Sequence, residues 1–256
     1  MFSRHPAFAA LAPLLAHLGG FPRTSADWAR LPPVQVRSGH RIVCVPPAAT
    51  DGHYEAQIHE TGRLPTRPLN WHDCFNALVW HRYPRIKAAL NALHYRLLPH
   101  PGDAGRGPVR DAATLLDECG LIVPYCDATL HAALLQHDWS GLFVAQRAAW
   151  GVRIEAQVLG HATFEHLLAP FVGLTGKCWP VAVAPEYFGW PLQARLAWLD
   201  DTLAQAIDAG ALQSPRQLPP LPYLGIPGWW PQQDTTFYAD TGYFRPARRL
   251  PAGSPR

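Results

Sequence analysis

Proline is the feature that most limits how this chain can fold. Its 256 residues include 27 prolines, and a proline inside a helix removes a hydrogen bond and clashes with the preceding turn. Pro84 predicts the end of one helix and the start of the next. Six prolines fall between Ser214 and Gln233, where no regular element is expected. Trp229 and Trp230 lie in that segment, which predicts a strap packed on the domain.

Apolar periodicity between the prolines predicts an α+β fold, mainly helical with a few short strands. Apolar residues make up 48% of the chain, enough for one sizeable core. We expect a single globular domain over residues 1–245 and a flexible tail over 246–256. An N-terminal stripe of Phe8, Leu11, Leu14, Leu15 and Leu18 fits an amphipathic helix, although a signal peptide would look similar. Strands are predicted at 34–37, 41–45, 54–59 and 121–123. Helices are predicted from Asn70 to Pro84, from Pro84 to Leu97, and over 112–119, 131–136, 142–150, 163–168 and 192–209.

Charge and cysteine usage exclude several classes of protein. The net charge is +3 and charged residues supply only 16%, which argues against binding to duplex nucleic acid through its phosphates. The sequence contains no run of about 18 apolar residues, so no membrane span is predicted. The five cysteines contain no CxxC pair, so we expect reduced thiols in a cytoplasmic protein rather than a disulfide framework or a zinc ribbon.

A helix beginning after Asn70 gathers the first group of polar side chains. Asn70 is a good N-cap, with Asp73 three residues on. On that helix His72, Asp73 and Asn76 fall within an arc of about 100°. They would line the edge of a cleft as metal ligands or as an acid/base pair. The alternative is helix capping by Asp73 beside a hydrogen-bonded histidine.

The next helix repeats this arrangement. Lys87, Asn91 and His94 occupy positions i, i+4 and i+7 beside a leucine stripe. A solvated face more often carries Glu, Lys and Gln than this mixture. Each residue taken singly also fits an ordinary surface stripe.

Two carboxylates end the predicted helix over 112–119. Asp117 and Glu118 stand in its last turn, where the helix dipole disfavours an anion by about 0.3–1 kcal/mol. Such a pair calls for a compensating arginine, a metal ion or a shared proton, and a raised pKa would suit acid/base catalysis. The alternative is a structural salt bridge to Arg110 or Lys87.

Two further groups carry weaker signals. His161 and Glu165 have the i, i+4 spacing that brings two ligands to one helix face, although a surface hydrogen bond explains the pair equally well. His59 and Glu60 precede Arg63 and Arg67, which could hold an anion. The alternative for that segment is a polar turn.

Familiar catalytic signatures are missing from the sequence. It contains no GxxxxGK[ST] phosphate loop, no GxGxxG and no GxSxG elbow. Cys74 and Cys119 lie within polar motifs, but no electropositive setting for a cysteine nucleophile is visible.

Read together, the motifs resemble one protein family. They are IHETGxxPTRxxNWHDxFNALVW, PxxKxxLNxxH, RDAxTLLDExG, GHAxxExxxxPxxGLTGK and a closing GIPGWWP…FY…FRP. This set resembles the bacterial proteins of domain-of-unknown-function family 3025, from about Ile58 to Pro246. The resemblance implies one undivided domain and brings no known activity. It also implies that the polar residues above belong to a common site.

Three functional hypotheses follow. The first is a metal-dependent hydrolase of a phosphorylated small molecule, because the order His59, His72-Asp73, Asp117 is similar to the ligand order of helical HD-type phosphohydrolases. The second is a metal-free acid/base hydrolase or transferase, and the third is a non-catalytic binding or scaffold protein. A divalent metal is the one cofactor implied.

Catalytic candidates are His72, Lys87, Asp117, Glu118, His161 and Glu165. Substrate-binding candidates are Arg67, Asn76, Asn91, His94 and Arg110, while Lys87 could also hold phosphate.

Overall fold

The fold is α+β and mainly helical, as predicted, in a computed structural model that describes residues 5–47, 53–98 and 107–247. The helices are α1 (Ala12–Leu18), α2 (Ser25–Trp28), α3 (Tyr54–Thr61), α4 (Trp71–Arg82), α5 (Pro84–Arg96), α6 (Pro108–Cys119), α7 (Ala128–Leu135), α8 (His161–His166), α9 (Leu192–Asp208) and α10 (Thr235–Tyr238). The strands are β1 (Val43–Val45), β2 (Arg63–Pro65), β3 (Gly120–Tyr125), β4 (Gln157–Val158), β5 (Thr175–Ala182) and β6 (Pro220–Pro222).

The start of α4 and the junction with α5 follow the sequence signals. The side chain of Asn70 accepts a hydrogen bond from the Asp73 backbone N–H at 2.9 Å, so Asn70 is the N-cap. Pro84 is the first residue of α5. The buried carboxylate of Asp200, on α9, accepts from the backbone N–H groups of Arg85 and Ile86. These two hydrogen bonds fix the N-terminus of α5 against α9.

A four-stranded sheet with the order β4-β3-β5-β6 lies beside the helices. Strands β3 and β5 pair in parallel, in a register running from Gly120↔Lys177 to Tyr125↔Ala182. The edge strands β4 and β6 are antiparallel to their neighbours. Residues 121–123 are completely buried, as expected of a strand covered on both faces. A separate parallel pair joins β1 to β2.

Three aromatic rings bring α4 and α8 together. Phe75 stacks on Phe164 with 5.5 Å between ring centroids, and Phe8 packs against both rings. All three side chains are completely buried. This packing places the first residues of α4 beside the first residue of α8, which is where the polar site lies.

Several predicted elements are wrong. The segment predicted as a strand over 54–59 is helix α3, which ends at Gly62 with φ 68°. Strand 34–37 is reduced to one isolated bridge, between Gln35 and Arg41. The predicted helix over 142–150 is a π turn over Gly141–Ala145 followed by a 3-10 turn over Arg147–Ala149. The strand β5 was not predicted.

The proline-rich strap also differs from expectation. It contains the short strand β6, which forms an edge of the sheet and leaves its prolines where few ladder bonds are needed. Leu224 and Trp229 are buried, so the strap packs on the rest of the protein. Residues 248–256 of the predicted tail lie outside the described residues, as do residues 99–106. Across the described ranges, every helix is too short or too polar to cross a membrane.

Candidate metal centre

Three side chains from three helices converge at one point. His72 is the second residue of α4, Glu118 is the penultimate residue of α6, and His161 is the first residue of α8. One possible ligand atom from each lies within 4.8 Å of the other two. Among the described residues, these three form the one group of histidine and carboxylate side chains whose ligand atoms lie close enough together to bind a single metal ion.

Two glycines allow α6 and α8 to approach this closely. The backbone N–H of Gly160 donates to the Gly120 carbonyl at 2.9 Å. A Cβ atom at Gly160 would lie only 2.4 Å from the Glu118 carbonyl oxygen. Gly120 ends α6 and Gly160 precedes α8, so the contact between these backbones sets Glu118 beside His161.

The distances suit a metal ion with tetrahedral ligands. The Nε2 atoms of His72 and His161 are 3.2 Å apart, and His161 Nε2 is 3.5 Å from Glu118 Oε2. Tetrahedral zinc with bonds of about 2.0–2.2 Å requires ligand separations of roughly 3.3–3.6 Å. Two histidines and a glutamate leave a fourth position for water or substrate, which is the composition of a catalytic zinc site.

Two outer carboxylates face the other nitrogens of the two histidine rings. Glu165 Oε2 is 3.1 Å from His72 Nδ1. Asp117 Oδ2 is 3.8 Å from His161 Nδ1, a buried atom that has no hydrogen-bond partner among the described residues. The Glu165 carboxylate at His72 Nδ1 favours the His72 tautomer whose Nε2 lone pair is available to a metal. The Asp117 carboxylate is too far from His161 Nδ1 for a hydrogen bond of this kind. Burial lowers the pKa of His161 to about 3, so its ring is neutral near pH 7.

Asp117 is held by a buried lysine. Lys87 Nζ donates to Asp117 Oδ1 at 2.5 Å and to Asn76 Oδ1 at 2.9 Å. Burial alone would raise the pKa of Asp117, but the charge of the Lys87 ammonium group and its hydrogen bond hold that pKa below its usual value. Burial and the Asp117 charge raise the pKa of Glu118. Of the two pairings considered for this carboxylate, the structure has the one with Lys87.

The first turn of α3 covers the site and contributes two residues that the sequence analysis missed. Asn76 Nδ2 donates to the Tyr54 hydroxyl at 2.8 Å. Asn91 Nδ2 donates to the Glu55 carboxylate at 2.7 Å and to its carbonyl at 3.0 Å. Burial raises the pKa of Glu55 to about 7. The signal that would have identified them is the Tyr-Glu pair at the start of α3, a segment that the sequence pattern predicts as a strand.

Two adjoining cavities give access to these groups. The larger has a volume of about 400 Å³ and includes His72, Glu118 and His161 in its wall. The second, of about 280 Å³, is lined by His94 and Arg110. Their common wall consists of Tyr54, Glu55, Asp117 and Glu118. Both volumes are of the order found in small-molecule pockets, roughly 300–1,000 Å³.

Two of the metal ligands proposed from sequence are not available at this point: one lies at a different cavity, and the other is paired with an arginine. His59 stacks on Tyr95 with 4.2 Å between ring centroids and lines a different cavity, because the segment is a helix that turns this side chain away. Both carboxylate oxygens of Asp73 accept from Arg67 at 2.8 Å. The structure therefore does not bring the set His59, His72, Asp73 and Asp117 to one point.

The site contains more acidic than basic side chains. The carboxylates are Glu55, Asp73, Asp117, Glu118 and Glu165, and the cations are Arg67, Lys87 and Arg110. The carboxylates outnumber the cations by two, five to three, so the cluster favours a positively charged ligand. A divalent cation is such a ligand.

Comparison with known proteins gives one match. Residues 43–248 match the family model described as "Protein of unknown function (DUF3025)". No curated protein and no solved structure matches the chain.

Proposed function

The chain belongs to the DUF3025 family, and from its own residues we propose that it is a metal-dependent hydrolase of a phosphorylated small molecule. The observation that carries the proposal is the convergence of His72, Glu118 and His161 in the wall of a cavity of about 400 Å³. Convergence of this kind favours an enzyme over a binding scaffold, in which polar side chains would be scattered.

These three residues are the proposed metal ligands, with Glu165 as the carboxylate that orients the His72 ring. Imidazole and carboxylate ligands in this number suit zinc. A zinc ion bound here would lower the pKa of a bound water and polarise a phosphoryl oxygen. His161 and Glu118 thus change role: from sequence both were candidates for acid/base catalysis.

Arg110 is the proposed contact for the substrate phosphate. Arg67 is paired with Asp73 and Lys87 with Asp117, so both already have an anionic partner. No described carboxylate forms an ion pair with Arg110, which lines the second cavity. An unpaired guanidinium can bind a phosphate through two parallel hydrogen bonds.

Glu55 is the proposed acid/base group. It lies in the wall common to both cavities, and the Asn91 amide holds its carboxylate. Burial raises its pKa to about 7, close to the value at which one group can both give and accept a proton. The natural task for Glu55 is protonation of the leaving group.

One observation favours a metal-free acid/base enzyme as the second candidate. A separation of 3.2 Å between His72 Nε2 and His161 Nε2 also fits a hydrogen bond in which one ring donates to the other. In that case the two histidines would share a proton and relay it toward Glu118.

We also propose a reducing, cytoplasmic setting, since none of the five cysteines is paired.

Hydrolysis of p-nitrophenyl phosphate and bis(p-nitrophenyl) phosphate tests the proposal. We expect zinc-loaded protein to hydrolyse at least one of them, chelation with dipicolinate to abolish the activity, and added zinc to restore it. His161→Ala should reduce the rate by at least about 100-fold, while Glu186→Gln, at an exposed position, should leave it unchanged. Activity that survives chelation would favour the metal-free enzyme, and inactivity of the zinc-loaded protein on both compounds would contradict the proposal.

A further inference from the structure

The orientation of the Asn76 amide is fixed by its neighbours. Lys87 Nζ lies 2.9 Å from one end of this amide, and an ammonium group can only donate hydrogen bonds. That end must therefore be the carbonyl oxygen Oδ1. The NH₂ group is then the end that faces the Tyr54 hydroxyl at 2.8 Å.

This orientation makes the Tyr54 oxygen an acceptor, so its own hydrogen points elsewhere. No described residue accepts a hydrogen bond from the Tyr54 O–H. The hydrogen bonds from Lys87 to Asn76 and from Asn76 to Tyr54 all donate in the same direction, away from the charged ammonium group. In such a series each hydrogen bond polarises the next. The result is a strengthened O–H donor at the end of the series.

Tyr54 lies where such a donor can reach a ligand. It is the first residue of α3 and lines the same cavity as His72, Glu118 and His161. The residue is 42% exposed, so a molecule entering from solvent can contact it. Desolvation of the hydroxyl within the cleft, together with the charges of Glu55 and Asp117, raises the pKa of Tyr54 well above 10. The hydroxyl therefore keeps its proton.

We infer that the Tyr54 hydroxyl is the donor that binds the substrate's phosphoryl oxygen, in the cavity whose wall also contains the metal ligands. This inference rests on the proposed function and narrows the substrate to a compound that presents an anionic oxygen to both Tyr54 and the metal. An oxygen in that position develops or keeps negative charge during hydrolysis, and a fixed donor aimed at it stabilises that charge.

Binding of inorganic phosphate to the zinc-loaded protein tests the inference. It is measured by calorimetry at pH 7 on the wild-type chain of 256 residues and on two variants. Tyr54→Phe removes the hydroxyl and keeps the ring. Tyr95→Phe is the matched control, because the Tyr95 hydroxyl also makes a hydrogen bond, to Glu60, but lies at a different cavity. Zinc content is measured on all three proteins.

We expect Tyr54→Phe to bind phosphate about tenfold more weakly, or worse, because a hydrogen bond to a charged group is lost. Its zinc content should equal that of the wild type, and Tyr95→Phe should bind phosphate normally. A purely structural role for Tyr54 would alter thermal stability and leave phosphate affinity unchanged. That result, or a zinc-loaded wild type that binds no phosphate, would overturn the inference alone. A wild type that retains no zinc would overturn the proposed function and this inference with it.

Discussion

At the scale of single residues, Lys87 holds together the charges beneath the site. Its ammonium group is buried between Asp117 and Asn76, and its exposed fraction is only 5%. It also lies 5.5 Å from the centroid of the Trp80 ring. Removal of this one cation would leave the Asp117 carboxylate buried next to Glu118 without a counter-charge.

We therefore expect Lys87→Met to lower the free energy of unfolding by about 3–5 kcal/mol, the cost of breaking a buried ion pair from one side. Urea unfolding of the metal-free protein measures this. The control is Arg37→Met, because the Arg37–Asp208 pair is about 40% exposed on both sides and should be worth less than about 1 kcal/mol. Equal losses in the two variants would show that Lys87 is not a buried counter-charge.

A second residue predicts how stability depends on pH. His81 Nδ1 is 3.0 Å from the Pro32 carbonyl oxygen, and burial lowers the pKa of His81 to about 4. Between pH 6.5 and about 4 the unfolded chain binds a proton that folded His81 does not bind, so stability falls as the pH decreases through this window. His81→Gln should make the loss between pH 7 and pH 5 smaller, measured by urea unfolding of metal-free protein. The same pH slope in both proteins would contradict a neutral, partly buried His81.

At the scale of secondary-structure elements, the site depends on how closely α6 and α8 can approach. The Gly160 backbone lies against Gly120 and the Glu118 carbonyl. We expect Gly160→Ala to push α8 away, destabilise the protein by roughly 1–3 kcal/mol and weaken zinc binding. Gly189→Ala is the control, because a Cβ there meets nothing within 4 Å. Normal zinc affinity in Gly160→Ala would show that this contact does not position the ligands.

Helix α3 shows why part of the site could not be predicted. The sequence pattern predicts a strand over 54–59. This prediction leaves Tyr54 and Glu55 out of the site and places His59 in it. The first turn of α3 is held by the side chains of Asn76 and Asn91, from α4 and α5. Those contacts form between residues 22 and 36 positions apart in sequence. Local propensity does not contain them.

At the scale of the whole molecule, local signals predict helix boundaries where a cap or a proline sets them, and they predict tertiary neighbours poorly. Residues adjacent in sequence predict the capping by Asn70, the junction at Pro84 and the end of a helix at residue 119. The strand β5 was missed because its residues mix Gly, Lys and Pro, and burial between β3 and β6 makes it a strand. Likewise, the sequence selected His72, Glu118 and His161, but only the packing of Phe75 on Phe164 shows that the two histidines meet.

The central claim is that His72, Glu118 and His161 hold one metal ion. Metal content per chain, measured by mass spectrometry on tag-free protein, tests it most directly, with His72→Ala and His59→Ala measured alongside. We predict close to one divalent ion per chain in the wild type and in His59→Ala, and its loss in a folded His72→Ala. A folded wild type without metal after exposure to zinc, or a His72→Ala variant that keeps its ion, would contradict the claim.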